Sequence, residues 1–288
     1  MDQSILIKRV RISDYIITAL IYAAASLSIL LLAGIVCYTF VKGVSSISWQ
    51  FLTTVPSTIK GTFGIAGNLL NTLYIVIITL LIATPVGVGS AIYLNEYANK
   101  SRLNRMIRSG IETLTGVPSI VYGLMGVSVL FPITRAFGAT TTNILLGSLT
   151  MAIILLPTII RSTEEALLVV PNSLRDASLS LGANQSQTIF KVVLPCAVPG
   201  ILTGVLLSIG RVIGESAALI YTMGTFINDS PTLLSQGTSL AVHIWSVMSG
   251  EQPNFELASA ISIIILIFVL CLNIIVKLLS KRLNKAWY

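Results

Sequence analysis

Apolar and polar positions along the chain fall into long blocks rather than a residue-by-residue alternation. Six blocks are almost wholly apolar: Tyr15 to Val41, Asn68 to Tyr93, Gly110 to Phe131, Asn143 to Ile160, Val192 to Met223 and Leu257 to Leu279. At ~1.5 Å of rise per residue, helices of these lengths cross the ~30 Å hydrocarbon layer of a bilayer. The pattern therefore predicts an all-α, polytopic membrane protein with six transmembrane helices, whose even number puts both termini on one side. Residues 1–14 precede the first span, 15–67 hold that span and an external segment, 68–280 form a five-span core, and 281–288 are a short tail. The first apolar block follows Lys8, Arg9 and Arg11 as in a signal peptide. It exceeds the ~7–15 residues of a signal core and no small-residue cleavage site closes it, so it reads as an uncleaved span.

Composition supports the membrane reading. The 288 residues are 54% hydrophobic and 10% charged, with a mean hydropathy of +0.89, whereas soluble domains average about 25% charged residues. A net charge of +7 would suggest nucleic-acid binding in a soluble chain, but here the basic residues cluster at helix ends. On the side of the termini lie Lys8, Arg9, Arg11, Lys100, Arg102, Arg105, Arg108, Arg161, Arg175, Lys191, Lys277, Lys281, Arg282 and Lys285. The other side has only Lys42, Lys60 and Arg135, and Arg211 falls inside a span. That asymmetry places both termini in the cytoplasm and accounts for the basic excess as a topology signal, with no nucleic-acid partner.

Smaller features change the picture less. Cys37, Cys196 and Cys271 sit apart with no C-x-x-C spacing and read as packing residues. His243, the single histidine, lies in Leu240-Ala241-Val242-His243-Ile244-Trp245, which is expected at the membrane surface with His243 as an interfacial residue. Trp245, Trp287 and Tyr288 suit the aromatic belt at headgroup depth. Breakers recur at Pro85, Pro118, Pro157, Pro195 and Pro199. Gly200-x-x-x-Gly204 and Gly210-x-x-x-Gly214 permit close helix contact, within this chain or with a second one.

Between the fourth and fifth blocks lies a polar insert, 161–195. Ser162-Thr163-Glu164-Glu165 has capping-box spacing, predicting a short helix from Ser162 to the break at Pro171. Asn172 is placed to cap the next helix, on which Leu174, Ala177 and Leu181 share a face, and Gly182 supplies its stop. A third helix is expected after Asn184. From shape alone the insert is either an ordinary connection or a projecting amphipathic helix.

Here the sequence resembles a known family. Asp176-Ala177-Ser178-x3-Gly182-x9-Val192-x-Leu194-Pro195 is similar to the EAA loop of ABC importer permeases, with conservative departures at Asp176, Ser178 and Val192. The resemblance implies a type I importer fold in which a cytoplasmic coupling helix docks on a separate ATP-hydrolysing subunit. Asp176, Ala177, Ser178, Gly182, Leu194 and Pro195 would then carry the coupling. Thr84-Pro85-Val86-Gly87-Val88-Gly89, Ile92-Tyr93-Leu94-Asn95-Glu96-Tyr97, Gly116-Val117-Pro118-Ser119 and Gly210-Arg211-Val212-Ile213-Gly214-Glu215 resemble the phosphate-specific permeases, the A-type subunit more than the C-type. That implies an inner-membrane subunit of a prokaryote, embedded in lipid. Its implied partners are a homologous second permease, a cytosolic ATP-binding dimer and an external phosphate-binding protein.

Arg211 demands an explanation without any family. A central arginine costs ~2.5–3.5 kcal/mol on insertion scales. Two readings stand: a structural ion pair with Glu215 at i, i+4, facing the bundle interior, or an anion site whose planar guanidinium fork matches phosphate oxygens, with Glu215 in the same pathway holding it between cargoes and partly repelling the anion. Arg161, at the end of the fourth span, is either a topology anchor or a second anion contact, and the resemblance implies the latter. Glu112 is expected to pair locally with Arg108. The chain has no G-x-x-x-x-G-K-[ST], H-E-x-x-H or G-x-S-x-G, so no cofactor, metal or catalytic residue is expected and ATP hydrolysis falls to a partner. The rivals are a C-type subunit, a permease for sulfate or molybdate, and, from another class, a passive channel or membrane enzyme.

Overall fold

The computed structural model describes residues 12–56, 63–98, 101–227 and 231–285. Lys8, Arg9, Arg11, Lys60, Lys100, Trp287 and Tyr288 lie outside these. Among the described residues the α-helices are α1 Ile12–Gly43, α2 Trp49–Thr53, α3 Ala66–Ile92, α4 Arg102–Thr115, α5 Ser119–Met125, α6 Phe131–Ala136 and α7 Ile144–Val169. They continue with α8 Asn172–Ser180, α9 Gln185–Thr188, α10 Leu194–Gly214, α11 Ala217–Met223, α12 Leu240–Met248 and α13 Phe255–Lys285. Of three one-turn π segments, Tyr93–Tyr97 extends α3, Gly126–Leu130 joins α5 to α6, and Ile189–Val193 joins α9 to α10.

Six helical runs are long and apolar enough to span a membrane: Tyr15–Ser46, Ala66–Tyr97, Ser119–Ala136, Ile144–Val169, Gln185–Gly214 and Phe255–Leu278. The number agrees with the hydropathy blocks, but boundaries differ, and three of the differences have a structural reason. The third span starts at Ser119 rather than Gly110, because Pro118 excludes helix at Val117 and separates the amphipathic α4 from the span. The fourth runs unbroken past Ser162 to Val169, so Ser162 starts no helix. It is held against α10 by packing, and its hydroxyl donates to Ile159 O at 3.2 Å. The fifth ends at Gly214: Glu215 is extended at φ −76°, ψ 127°, and α11 is a separate short helix.

The centre of the bundle is α3 packed along α7, with α10, α11, α12 and α13 around it. Ile75, Ala83, Met151, Leu155, Ile159, Val212, Ile213 and Leu219 meet there, all buried. The α7–α10 contact is antiparallel and depends on the first glycine pair. A Cβ on Gly204 would collide with the Ser162 side chain, and one on Gly200 would stand 2.6 Å from Ala166 Cβ. The second pair behaves differently, since a Cβ on Gly210 or Gly214 meets nothing.

Two expectations about minor residues are corrected. The cysteines are exposed on α1, α10 and α13 rather than packed inside. His243 is only 6% exposed, because Leu240 to His243 turn inward where α12 packs on α13 and α3; Trp245, two residues on, is exposed.

Candidate functional site

The insert forms a projecting helical hairpin. Val170 takes ψ 122° ahead of Pro171, which ends α7, and Pro171 rather than Asn172 occupies the cap position of α8. Asn172 instead accepts from Arg175 Nη1 at 3.3 Å. Gly182, at φ +88°, stops α8, a conformation costly for any residue with a Cβ. Ala183 N–H then donates to Ser178 O at 3.2 Å, and Asn184 with Gln187 makes a complete capping box for α9.

No residue of α8 is buried. Asp176 and Ala177 are exposed, and Leu174, Leu179 and Leu181 hold their side chains out, Leu181 at 90%. The EAA-like residues split between two roles. Ser178 faces inward to Thr188 Oγ1 at 2.9 Å. Leu194 packs with Ile92, Leu167, Val170 and Val193, and Pro195 lies in the first turn of α10.

What fastens α8 to the spans is a residue that counting charges treats only as a topology signal. Arg175 donates from Nη1 to Val170 O at 2.6 Å, and from Nη2 to Leu167 O at 3.0 Å and Glu96 Oε1 at 2.9 Å. Glu96 belongs to the π segment that ends the α3 span. Its backbone carbonyl accepts from Gln185 Nε2 at 2.8 Å, and Tyr97 Oη meets Ser186 Oγ at 3.0 Å. Glu96 and Arg175 stand 79 positions apart, so no helical periodicity could pair them.

Arg211 occupies the last turn of α10 and is exposed on the single chain. Its Nη1 donates to Thr158 Oγ1 of α7 at 3.3 Å. Thr158 lies fourteen residues along α7 from Ile144, about 21 Å of helix, within the membrane-length run Ile144–Val169. Thr203, Leu207, Arg211 and Gly214 form one exposed stripe along α10. The expected Arg211–Glu215 pair is not made, because the helix ends between the two residues. Glu215 Oε1 instead accepts the Ala218 N–H at 3.2 Å and caps α11.

Arg161 lies one turn beyond Thr158 on α7, paired with Glu165 at 3.3 Å with both side chains largely in the open. It lines a cleft of about 200 Å³ between α4 and α7 with Arg108, Glu112, Glu164 and Glu165. Arg211 does not reach that cleft. Arg108 reaches across to Glu164 at 2.9 Å rather than to Glu112.

The fold is a bundle of membrane-length helices from which the short helix α8 projects, with the Arg211 side chain on an open face of the single chain. Residues 83–285 match the family of binding-protein-dependent transport system inner membrane components. The chain is 36% identical over 290 residues to the probable ABC transporter permease protein YqgI of Bacillus subtilis, covering 96% of this chain and 97% of that one. It is 31% identical over 262 residues, 91% of each chain, to the phosphate transport system permease protein PstA of Haemophilus influenzae. Among solved structures, a bacterial alginate ABC transporter in complex with its alginate pentasaccharide-bound periplasmic protein superposes with a TM-score of 0.69. That similarity covers 95% of this chain and 96% of the other at 15% identity. The MetNI methionine ABC transporter, inward facing, superposes at 0.57 over 78% and 94% with 21% identity. The chain belongs to the binding-protein-dependent inner membrane components: it is a multi-pass permease subunit of an ABC importer with the type I fold.

Proposed function

We propose that this permease carries inorganic phosphate as the A-type subunit of its importer, with Arg211 as the anion contact inside the membrane. The observation that carries this is the exposure of Arg211 on the open stripe of α10. A guanidinium at that depth is costly against lipid, so the stripe belongs to a surface covered by a second permease, with a polar passage between the two. One hydrogen bond to Thr158 leaves most of the fork's five donors for an oxyanion. Relatives named PstA, and the PstC permease of Xylella fastidiosa at 26% identity over 299 residues, favour phosphate as that oxyanion.

The remaining parts extend the same reading. Both termini and α8 lie on the cytosolic side, where a dimer of ATP-binding subunits docks on Asp176, Ala177 and the leucines of α8. An external phosphate-binding protein delivers the anion from the other side. Arg161, one turn beyond Thr158, meets the anion as it leaves Arg211. Glu215 contributes by capping α11 and so keeping the chain broken beside Arg211. ATP hydrolysis belongs wholly to the partner, and this chain supplies the passage. In proteoliposomes holding the complete transporter, Arg211→Glu abolishes phosphate uptake while the complex still assembles; normal uptake by that variant would sink the reading. Inhibition of uptake by sulfate or molybdate at concentrations matching phosphate would reassign the cargo to another oxyanion.

A further inference from the structure

The coupling helix has no apolar root. With no buried residue in α8, a force applied to its outer face reaches the spans through the backbone at its ends, its packing on the π segment that leads into α10, and a few polar side-chain bonds. One of these, Ser178 to Thr188, ties α8 to α9 at the start of the Gln185–Gly214 run. The bonds that leave the hairpin on one side are made by Arg175, and they end on two different spans: the carbonyls of Leu167 and Val170 at the end of α7, and the carboxylate of Glu96 at the end of the α3 span.

The chemistry of this joint suits the transfer of motion. The guanidinium is planar and its donors have fixed directions, so three acceptors held by one fork cannot swing independently. Glu96 and Arg175 keep only 10% and 17% of their side-chain exposure, which protects a charge-assisted pair from water and salt. Of the carbonyls that Arg175 takes, that of Leu167 lies in the last turn of α7 and also accepts the Val170 N–H at 3.3 Å, and that of Val170 belongs to the cap residue, where the helix end favours a cation. On the acidic side, Glu96 sits in a one-turn π segment, a widening that is frequent at functional positions. Asn95 Nδ2 donates to its Oε1 at 2.9 Å. The same segment is tied to the far arm of the hairpin through Gln185 and Ser186, and to α4 where Arg108 Nη2 donates to Leu94 O at 2.8 Å.

We propose that the Glu96–Arg175 pair is the rigid joint through which displacement of α8 moves the α3 and α7 spans together, with both residues acting as positioning residues for transport. This rests on the reading of α8 as the ATPase docking helix. Without the charge at 96, α8 keeps its fold and its outer surface but moves independently of the spans, so hydrolysis proceeds without transport.

The test is the ratio of phosphate imported to ATP hydrolysed, in proteoliposomes holding the complete transporter. In Glu96→Gln the ATP-binding subunits still co-purify and hydrolyse ATP, and the ratio falls by on the order of tenfold, as expected when one charge-assisted bond is lost. Arg175→Lys, which keeps the charge and loses the fork, lowers the same ratio and serves where Glu96→Gln does not assemble. A second readout separates a joint from a merely stabilising bond. With Cys37, Cys196 and Cys271 replaced by serine, spin labels at Tyr93→Cys and Ser180→Cys give one narrow distance through the ATP cycle. Adding Glu96→Gln broadens it. A normal ratio and a narrow distance in an assembled Glu96→Gln complex overturn the joint while docking stands. ATP-binding subunits that stay bound after Leu181→Glu overturn the docking reading and the joint with it.

Discussion

Gly204 shows how much of this bundle turns on single atoms. With the Ser162 side chain where a Cβ would sit, Gly204→Val must push α10 away from α7, an overpacking cost of about 1–3 kcal/mol. A clear drop in the melting temperature of the purified complex is the expected result. Gly110 lies on exposed α4 with open space around it, so Gly110→Ala should hold or slightly raise stability, since glycine inside a helix costs about 0.5–1 kcal/mol relative to alanine. Equal effects of the two in a thermal melt would contradict the packing described.

His243 makes a prediction in pH. It is buried in α12, outside the six membrane-spanning runs, with Nδ1 lacking a hydrogen-bond partner among the described residues, and burial holds its pKa below the ordinary value of 6.5. A histidine whose folded pKa is depressed favours the folded state above the unfolded pKa, and that contribution is lost as pH falls through and below it. Melting temperature should therefore decline as pH drops below about 6.5, and His243→Leu should flatten this part of the profile. An unchanged acid limb in the variant would show that other groups set it.

Among the elements, the hairpin is the most readable from sequence and the breaks inside apolar runs the least. Gly182 and the Asn184–Gln187 box are legible because they are local: a left-handed turn and a reciprocal cap need no tertiary context. Ser162 carries an equally good local pattern, yet the contact of Ser162 and Ala166 with two glycines of α10 keeps α7 helical through it. The breaks at Val117-Pro118 and Glu215-Ser216 are hidden because hydropathy stays high across them, although the residue before proline is a usable signal at the first. The pairing of Arg211 with Glu215 fails for the same reason, since an i, i+4 argument holds only while the helix continues. Arg175 and Glu96 are invisible as a pair, being brought together only by the fold.

The hairpin's own prediction concerns Gly182. Its φ of +88° makes Gly182→Val a strained substitution that redirects the chain leaving α8, at a cost of about 1–3 kcal/mol. The expected outcome is an assembled complex in which ATP hydrolysis is uncoupled from uptake. Normal coupling would argue that the direction of α8 does not matter.

Taken whole, the molecule is an unfinished surface. Its centre is densely packed, α1 stands against α13 with nearly all its other sides open, and α10 shows a stripe that mixes Leu207 with Arg211. Lipid suits the first of these open surfaces. On the proposed reading the second is covered by a partner beside a polar passage, because a charge there is costly against lipid. The membrane-embedded complete transporter with its three native cysteines replaced, and Arg211→Cys added, decides the matter by reagent access. A small, water-soluble anionic thiol reagent should modify position 211. Modification by membrane-soluble reagents alone, or by none, would place that side chain in lipid or in dry protein and remove the anion passage proposed for it.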